Sequence, residues 1–406
     1  MNFPRALLFV IALPASALDW TDPRSVVAAA LENNPTILRL QTEVEAARER
    51  VGPAASQPNP MAMAGVQNRE IDFSDDPMMT MYMVGAQQTF TRGAKRRARR
   101  TAAELEVRAI EQRIIAAQAE IERDTLLAWY DAAAADSRIA AAEQVRGLID
   151  AIIDAARVRY EIGSAVQAEV IRAQLERSNL DHLILTLRGQ RNAAVATLLP
   201  VVALPPGSAV PPLHLPHATE SREIPNDIAV PSSHPAIVAL QAEIERQDEL
   251  VALARLADRP DIALEASYGY RRDQTDMISV VASVELPVRR NSIIEPRIRE
   301  AIAQREATAR RVEETRREIV RGLAVAAALH DQANQQLRFH DEVLVPQARL
   351  AFESTLAAYQ TGSTSFEAVL SAESAYLRLV LDYYEYLAEH VKAIVVFEAI
   401  RKGSMS

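Results

Sequence analysis

The sequence predicts a mainly α-helical protein with a small β part, in which a unit of one helix, a β-hairpin and a long helical hairpin occurs twice. Three observations predict this fold. The 406-residue chain has few Gly and is rich in Ala, Glu, Arg and Gln, a composition typical of helices. Separate short segments alternate apolar and polar residues, which is typical of strands. Both patterns return about 200 positions later, which indicates a fold duplicated once rather than an array of short repeats.

The chain begins with the features of a secretory signal peptide. Arg5 supplies the positive charge, residues 6–13 form an apolar core, and Ala15-Ser-Ala17 has the small residues of a cleavage site. We therefore predict that residues 1–17 direct export and are removed; a buried N-terminal helix is the alternative. The formal charge of −9 argues against nucleic acid as a partner, and zero Cys excludes disulfides and thiolate metal sites.

The first helices of the two copies align without a gap. Asn34-Pro35-Thr-Ile37 corresponds to His234-Pro235-Ala-Ile237, and Pro60 corresponds to Pro260. Pro at a helix start and a polar residue before it are typical of an N-terminus. The predicted division of the chain is a signal peptide over 1–17, a first repeat over 18–200, a Pro-rich linker over 201–233 and a second repeat over 234–406.

Each copy contains a predicted β-hairpin, at about 61–90 in the first and about 261–288 in the second. Apolar side chains alternate with small or polar ones along these strands. Exported strands of about ten residues with this pattern fit the wall of a membrane barrel, and a small soluble sheet is the alternative. Four strands cannot close a barrel, and open edges are not tolerated in hydrocarbon. Several chains must then share one barrel, with twelve strands from three chains or eight from two.

A long helical pattern follows each hairpin, over about 95–160 and about 296–359. About 65 residues at about 1.5 Å each would extend on the order of 100 Å. Gly147 and Pro346 fall at equivalent places, so we predict a break or kink in both helices. Each pattern ends at a bend with the sequence Tyr-x-x-Gly-Ser, after which a helical pattern resumes.

These features together resemble the TolC-like outer-membrane efflux family. The resemblance rests on the Asn-Pro and His-Pro helix starts, the Pro before each hairpin, the two Tyr-x-x-Gly-Ser bends and Val343-Leu-Val-Pro346. It covers essentially the whole mature chain. Within the family, the stretches 87–96 and 284–291 look most like the outer-membrane components of heavy-metal efflux systems, of the cobalt–zinc–cadmium or copper–silver type.

The resemblance implies a homotrimer in the outer membrane of a Gram-negative bacterium, with a twelve-stranded barrel continued by a helical tunnel through the periplasm. Its implied partners are outer-membrane lipid, a periplasmic membrane-fusion adaptor and an inner-membrane efflux pump. The chain would be the passive exit duct for metal ions or small toxic compounds. The same duct for drugs or secreted polypeptide, and a non-pore periplasmic coiled-coil scaffold, are the alternatives. No catalytic motif occurs, so we expect neither an enzyme nor a cofactor.

The candidate functional residues lie at the two bends. The predicted adaptor-contacting tips are Tyr160, Gly163, Ser164, Tyr359, Gly362 and Ser363. The alternative is that Gly only permits the turn and that Tyr packs between helices. Some members of the TolC-like family carry an Asp at the tunnel constriction, six residues after the Gly of the second bend. In this sequence Ala368 takes the place of that Asp, and Glu367 lies beside it. The residue of the first copy that corresponds to Ala368 is Glu169. Glu169 and Glu367 are therefore the candidate constriction residues.

Two groups of residues could be metal ligands, and we interpret both as structural residues instead. Six Met lie between Met61 and Met83, and thioethers suit soft ions such as Cu(I), but Met commonly fills apolar strand surfaces. His214 and His217 lie close together in the Pro-rich linker without nearby acids. The sequence therefore predicts no metal site, and exchange of these Met for Leu is expected to leave metal resistance unchanged.

Overall fold

The computed structural model describes residues 18–69, 79–216, 224 and 228–404. The predicted signal peptide and His217 lie outside the described residues. The chain forms two compact units, and each contains parts of both copies. The helical unit comprises Met1–Leu38, Ile115–His234 and Arg317–Ser406, and the sheet unit comprises Arg39–Ile114 and Pro235–Arg316.

Helices make up most of the described chain, so the predicted fold class is confirmed. The helices are α1 (Pro23–Asn33), α2 (Pro35–Ala55), α3 (Gly93–Glu161), α4 (Gln167–Val201), α5 (Pro235–Arg255), α6 (Glu295–Phe339), α7 (Val345–Gln360) and α8 (Phe366–Lys402). The strands are β1 (Met61–Gln67), β2 (Met81–Phe90), β3 (Ile262–Tyr270) and β4 (Met277–Val284). The order of a helix, two strands, a long helical segment and a returning helix occurs twice, which is the predicted duplicated unit. Within the described residues, no helix has an apolar stretch long enough to cross a membrane.

The predicted interruption of both long helices is correct at Pro346 and wrong at Gly147. A π-helical segment, His340–Leu344, separates α6 from α7, and Pro346 is the second residue of α7. Pro lacks the N–H that the helix ladder needs, and its ring clashes with the carbonyl four residues earlier. Gly147 retains its N–H and costs only about 1 kcal/mol relative to Ala, so α3 continues through it as one helix of 69 residues.

The four strands form one antiparallel sheet in the order β1-β2-β3-β4, with β1 and β4 at its edges. The register gives the sheet two chemically different faces. Tyr82 pairs with Tyr270, and Phe90 pairs with Ile262, which in turn pairs with Val284. Side chains alternate between faces along a strand, so these aromatic and aliphatic residues share one face, which we call the apolar face. Its members Tyr82, Phe90, Tyr268, Tyr270, Ile278 and Val280 are exposed.

The opposite face, which we call the polar face, carries small and polar side chains together with methionines. Its small and polar members are Gly65, Gly85, Gln87, Thr89, Ala263, Glu265, Ser267, Gly269, Ser279 and Ser283. Its methionines are Met61, Met63, Met81, Met83 and Met277. These five Met therefore lie on the polar face and not on the face that carries the aromatic and branched aliphatic side chains.

The helical unit is held together by an apolar core between α3, α4, α7 and α8. Its large buried members are Ile149, Ile152, Leu180, Leu187, Phe352, Tyr359 and Phe366. Rings of Phe352 and Tyr376 stack within this core with centroids 6.2 Å apart. Because α3 and α4 come from the first copy and α7 and α8 from the second, burial of this core joins the two helical hairpins to one another.

Candidate functional site

Both bends are helix terminations of the same type, and each requires a residue with positive φ. Gly163 has φ +72° and Gly362 has φ +80°. In the first bend, the N–H of Gly163 donates to the Tyr160 carbonyl at 2.9 Å, and the N–H of Ser164 donates to the Arg159 carbonyl at 2.8 Å. This pair of bonds is the Schellman motif, which satisfies the last carbonyls of the helix and favours Gly at the left-handed position.

The second bend repeats this pattern one copy later. Gly362 donates to the Tyr359 carbonyl at 3.0 Å, and Ser363 donates its N–H to the Ala358 carbonyl at 2.8 Å. The hydroxyl of Ser365 then accepts from the Ala368 N–H at 3.3 Å and caps the start of α8. Gly and Ser in both predicted tips therefore have a local role in ending one helix and reversing the chain.

Tyr359 joins the two bends of one chain. Its hydroxyl donates to Oε2 of Glu169 at 2.6 Å, so a residue at the end of α7 reaches the first turn of α4. Arg159 at the end of α3 donates to the Tyr359 carbonyl at 2.6 Å and lies over the Tyr359 ring, 4.4 Å from the centroid. Burial, followed by the hydrogen bond to Glu169, raises the pKa of Tyr359 above its usual range, so this hydroxyl remains a donor.

A second contact between the copies lies beside the first. Arg172 on α4 forms an ion pair with Glu367 in the first turn of α8. Both side chains are exposed, so this pair alone contributes little to stability. We call the set of Arg159, Glu169, Arg172, Tyr359 and Glu367 the tip latch. Both predicted constriction residues, Glu169 and Glu367, are members of it and have partners in their own chain.

The two tip tyrosines differ although they occupy equivalent positions in the two copies. Tyr160 is 46% exposed, whereas Tyr359 is 1% exposed. The carboxylate that accepts from Tyr359 is Glu169, and the position equivalent to Glu169 in the second copy is Ala368. The Tyr359 ring therefore packs among the helices, while the Tyr160 ring lies at the surface; contact of both residues with an adaptor stays a prediction.

Sequence analysis missed Arg159 and Arg172 as functional residues. Each contacts a residue of the other copy, about 200 positions away in the chain. The available signals were a basic residue next to Tyr160 and a second basic residue at the third position after Glu169. Neither position reveals its partner until the two helical hairpins are placed side by side.

A buried carboxyl group lies further along the same pair of helices. Glu373 on α8 is fully buried, and its Oε1 has no hydrogen-bond partner among the described residues. Burial, followed by the facing Glu176 of α4, raises the pKa of Glu373 to about 7. The same pair of helices thus carries an attractive contact at Arg172 and Glu367 and a repulsive one at Glu176 and Glu373 when both carboxyls are charged.

Histidines and carboxylates do not form a metal centre in the described part of the chain. No group of three or more such side chains is placed to hold an ion there. His330 and His390 pack ring against ring, with centroids 4.6 Å apart, and burial lowers the pKa of His390 to about 4. His390 is therefore neutral where its ring packs against that of His330.

One comparison with known proteins shows the family of this chain. Residues 26–202 and 230–389 match the outer membrane efflux protein family. No protein of curated function shows significant similarity in sequence.

Among solved structures, the outer membrane protein VceC from Vibrio cholerae is 16% identical with a TM-score of 0.79, and the match covers 95% of this chain and 97% of VceC. The open-state outer membrane channel MtrE from Neisseria gonorrhoeae is 16% identical, with a TM-score of 0.78 and coverage of 95% and 90%. CusC, described for folding and transmembrane channel formation, is 15% identical, with a TM-score of 0.77 and coverage of 98% and 96%. These likenesses establish the shared fold. The family match spans most of the sequence, and the chain belongs to the outer membrane efflux protein family.

Proposed function

We propose that this outer-membrane efflux protein works as a homotrimer, in which three four-stranded sheets close one twelve-stranded barrel and the helices form a periplasmic tunnel. The observation that carries this proposal is the sheet itself. Among the residues that the structure describes, no strand pairs with the outer edges of β1 and β4, and the apolar face is exposed. Open edges are not tolerated in hydrocarbon, and four strands are too few to close, so association of chains satisfies both requirements.

The proposed duct is passive and receives its cargo from partners at the tips. Apolar side chains of the first bend are exposed, with Ile162 at 73% and Val166 at 63%, beside the exposed ring of Tyr160. Exposed apolar groups around a Gly turn favour a protein partner at this place. We assign this surface, with Gly163, Ser164, Gly362 and Ser363, to a periplasmic membrane-fusion adaptor that is itself bound to an inner-membrane pump.

The tip latch provides the proposed control of the duct. It connects α3 and α4 of the first copy with α7 and α8 of the second through a hydrogen bond to a carboxylate, a cation over an aromatic ring and an ion pair. A tip that is tied within each chain keeps the narrow end of a trimer closed until a partner displaces these contacts. Glu169 and Glu367, three of each in the trimer, are the carboxylates that we propose for that narrow end, where Arg172 offsets the charge of Glu367 and Glu169 would attract cations.

Metal ions are the cargo that we propose, on the strength of the stretches 87–96 and 284–291, which resemble heavy-metal efflux components. Drugs or secreted polypeptide through the same duct remain the second candidate.

Reconstitution of the purified protein in planar bilayers tests the proposed function. We expect a trimer that conducts in discrete steps and prefers cations. A folded protein that stays monomeric, binds no membrane and produces no conductance would instead support the periplasmic scaffold. Deletion of the gene followed by growth on graded metal salts and on drugs then separates the two candidate cargoes.

A further inference from the structure

Three methionines lie around one glycine of the polar face, although they come from two strands that are far apart in the sequence. Met83 of β2 pairs with Gly269 of β3, and Met277 of β4 pairs with the same Gly269 from the other side. Directly opposed residues in neighbouring strands have Cβ atoms about 5 Å apart. Gly269 therefore lies between two methionines on the same face of the sheet.

The thioether of a third methionine occupies the space that Gly269 leaves open. A Cβ built on Gly269 would collide with Sδ and Cγ of Met81, so the Met81 side chain lies across the glycine. The sulfur of Met83 or Met277 lies two bonds beyond its Cβ, and both side chains can reach the same point. Gly269 thus allows three neutral sulfur ligands to surround one place, and a side chain there would prevent this.

We propose that Met81, Met83 and Met277 form a binding site for a soft monovalent cation, Cu(I) or Ag(I), on the inner wall of the barrel. This inference rests on the proposed trimeric duct, because only a closed barrel makes the polar face its interior. Thioethers are soft ligands that select Cu(I) over hard divalent ions. The nearest carboxylate of this face on β3 is Glu265, four residues from Gly269 and thus about 13 Å away, so the ligands themselves are neutral sulfurs; Arg271 and Asp276 lie in the hairpin turn beside the site.

Packing is a weaker explanation for these three residues than for methionines elsewhere. Met is an effective filler of apolar surfaces. The apolar surface of this sheet is its other face, where Tyr82, Tyr268 and Ile278 lie. Neutral ligands also suit a site in an export path, since conduction requires that an ion bind well enough to enter and weakly enough to leave.

Titration of the purified full-length protein with Ag(I), by calorimetry, tests the site, and Zn(II) serves as the harder ion. We expect Ag(I) to bind at one site per chain and Zn(II) not to bind there. The triple variant Met81→Leu, Met83→Leu, Met277→Leu should lose Ag(I) affinity at least tenfold. The matched control is Met61→Leu, a methionine of the same face that pairs with Gln87 away from Gly269, and it should bind as the wild type does.

Leu conserves the volume of Met, and a melting curve with a size measurement verifies each variant. Should the triple variant fail to assemble, the single variant Met277→Leu carries the test, with a partial loss of Ag(I) affinity expected. Equal Ag(I) affinity in wild type and the Met277→Leu or triple variant would overturn the site, as would Zn(II) binding that disappears in either variant. A wild-type trimer that conducts in bilayers and binds no Ag(I) overturns the site and leaves the duct intact. A protein that binds Ag(I) through these methionines and forms no pore supports the site and overturns the duct.

Discussion

The hydroxyl of Tyr359 gives the most direct access to the tip latch. Exchange of Tyr359 for Phe retains the buried ring, its packing against Phe366 and its place below Arg159, and removes only the donor to Glu169. The matched control is Tyr160→Phe, the equivalent residue of the first copy, whose exposed ring lies outside the latch.

The expected effect follows from the type of bond that is lost. A hydrogen bond to a charged group contributes about 1.5–3 kcal/mol. Glu169 is half-buried and water can reach its carboxylate after the exchange, so we expect the low end of this range, about 1.5 kcal/mol per chain. Since about 1.4 kcal/mol is a factor of ten in an equilibrium, each chain should release its tip roughly tenfold more often.

Single-channel recording of reconstituted protein measures this directly as the fraction of time spent in the conducting state. Tyr359→Phe should raise that fraction about tenfold or more, and Tyr160→Phe should leave it unchanged. A double-mutant cycle with Glu169→Ala should give a coupling energy of about 1–2 kcal/mol, because both exchanges remove the same bond. An unchanged conducting fraction in Tyr359→Phe would refute the tip latch, as would an equal rise of the conducting fraction in Tyr160→Phe.

Three further predictions concern the same pair of helices. The folded-state pKa of Glu373 lies above its ordinary value of 4.5, so the stability it contributes is full below about pH 4.5 and falls until the pH reaches about 7; Glu373→Gln should remove this fall from melting curves between pH 4.5 and 7. Arg172→Glu should place two carboxylates together and raise the open fraction, and the reversed pair Arg172→Glu with Glu367→Arg should restore the closed state. Glu169→Gln should lower the preference of the trimer for cations, measured as the reversal potential in a salt gradient, and an unchanged potential would remove the constriction role from Glu169.

The fold was predictable because its signals are local in the sequence. Period-two alternation marked β3 and β4, Tyr-x-x-Gly-Ser marked both bends, and the duplication could be read from residue pairs. The error at Gly147 has a chemical reason, since equivalent positions in two copies do not impose equal constraints when one is Gly and the other is Pro.

The candidate site was predictable only in part, because its contacts join the two copies. Glu169 and Tyr359 were each identified, but as separate features. They lie 190 positions apart in the sequence, and their hydrogen bond depends on the packing of the two helical hairpins. Alternation placed Met81 and Met83 on one face of a strand. Only the register of β2, β3 and β4 brings Met277 to the same glycine.

Disulfide trapping between edge strands tests the shared barrel most directly. The chain has no Cys, so Ala64→Cys on β1 can be combined in turn with Ile278→Cys, Val280→Cys or Ala282→Cys on β4. Within one chain, β1 and β4 are three strand spacings apart, about 14 Å, whereas a disulfide needs Cα atoms closer than about 7 Å. We predict that at least one pair gives covalent dimers and trimers on a non-reducing gel after oxidation in outer-membrane fractions. Monomers alone for all three pairs, with the protein folded, would contradict a barrel built from several chains.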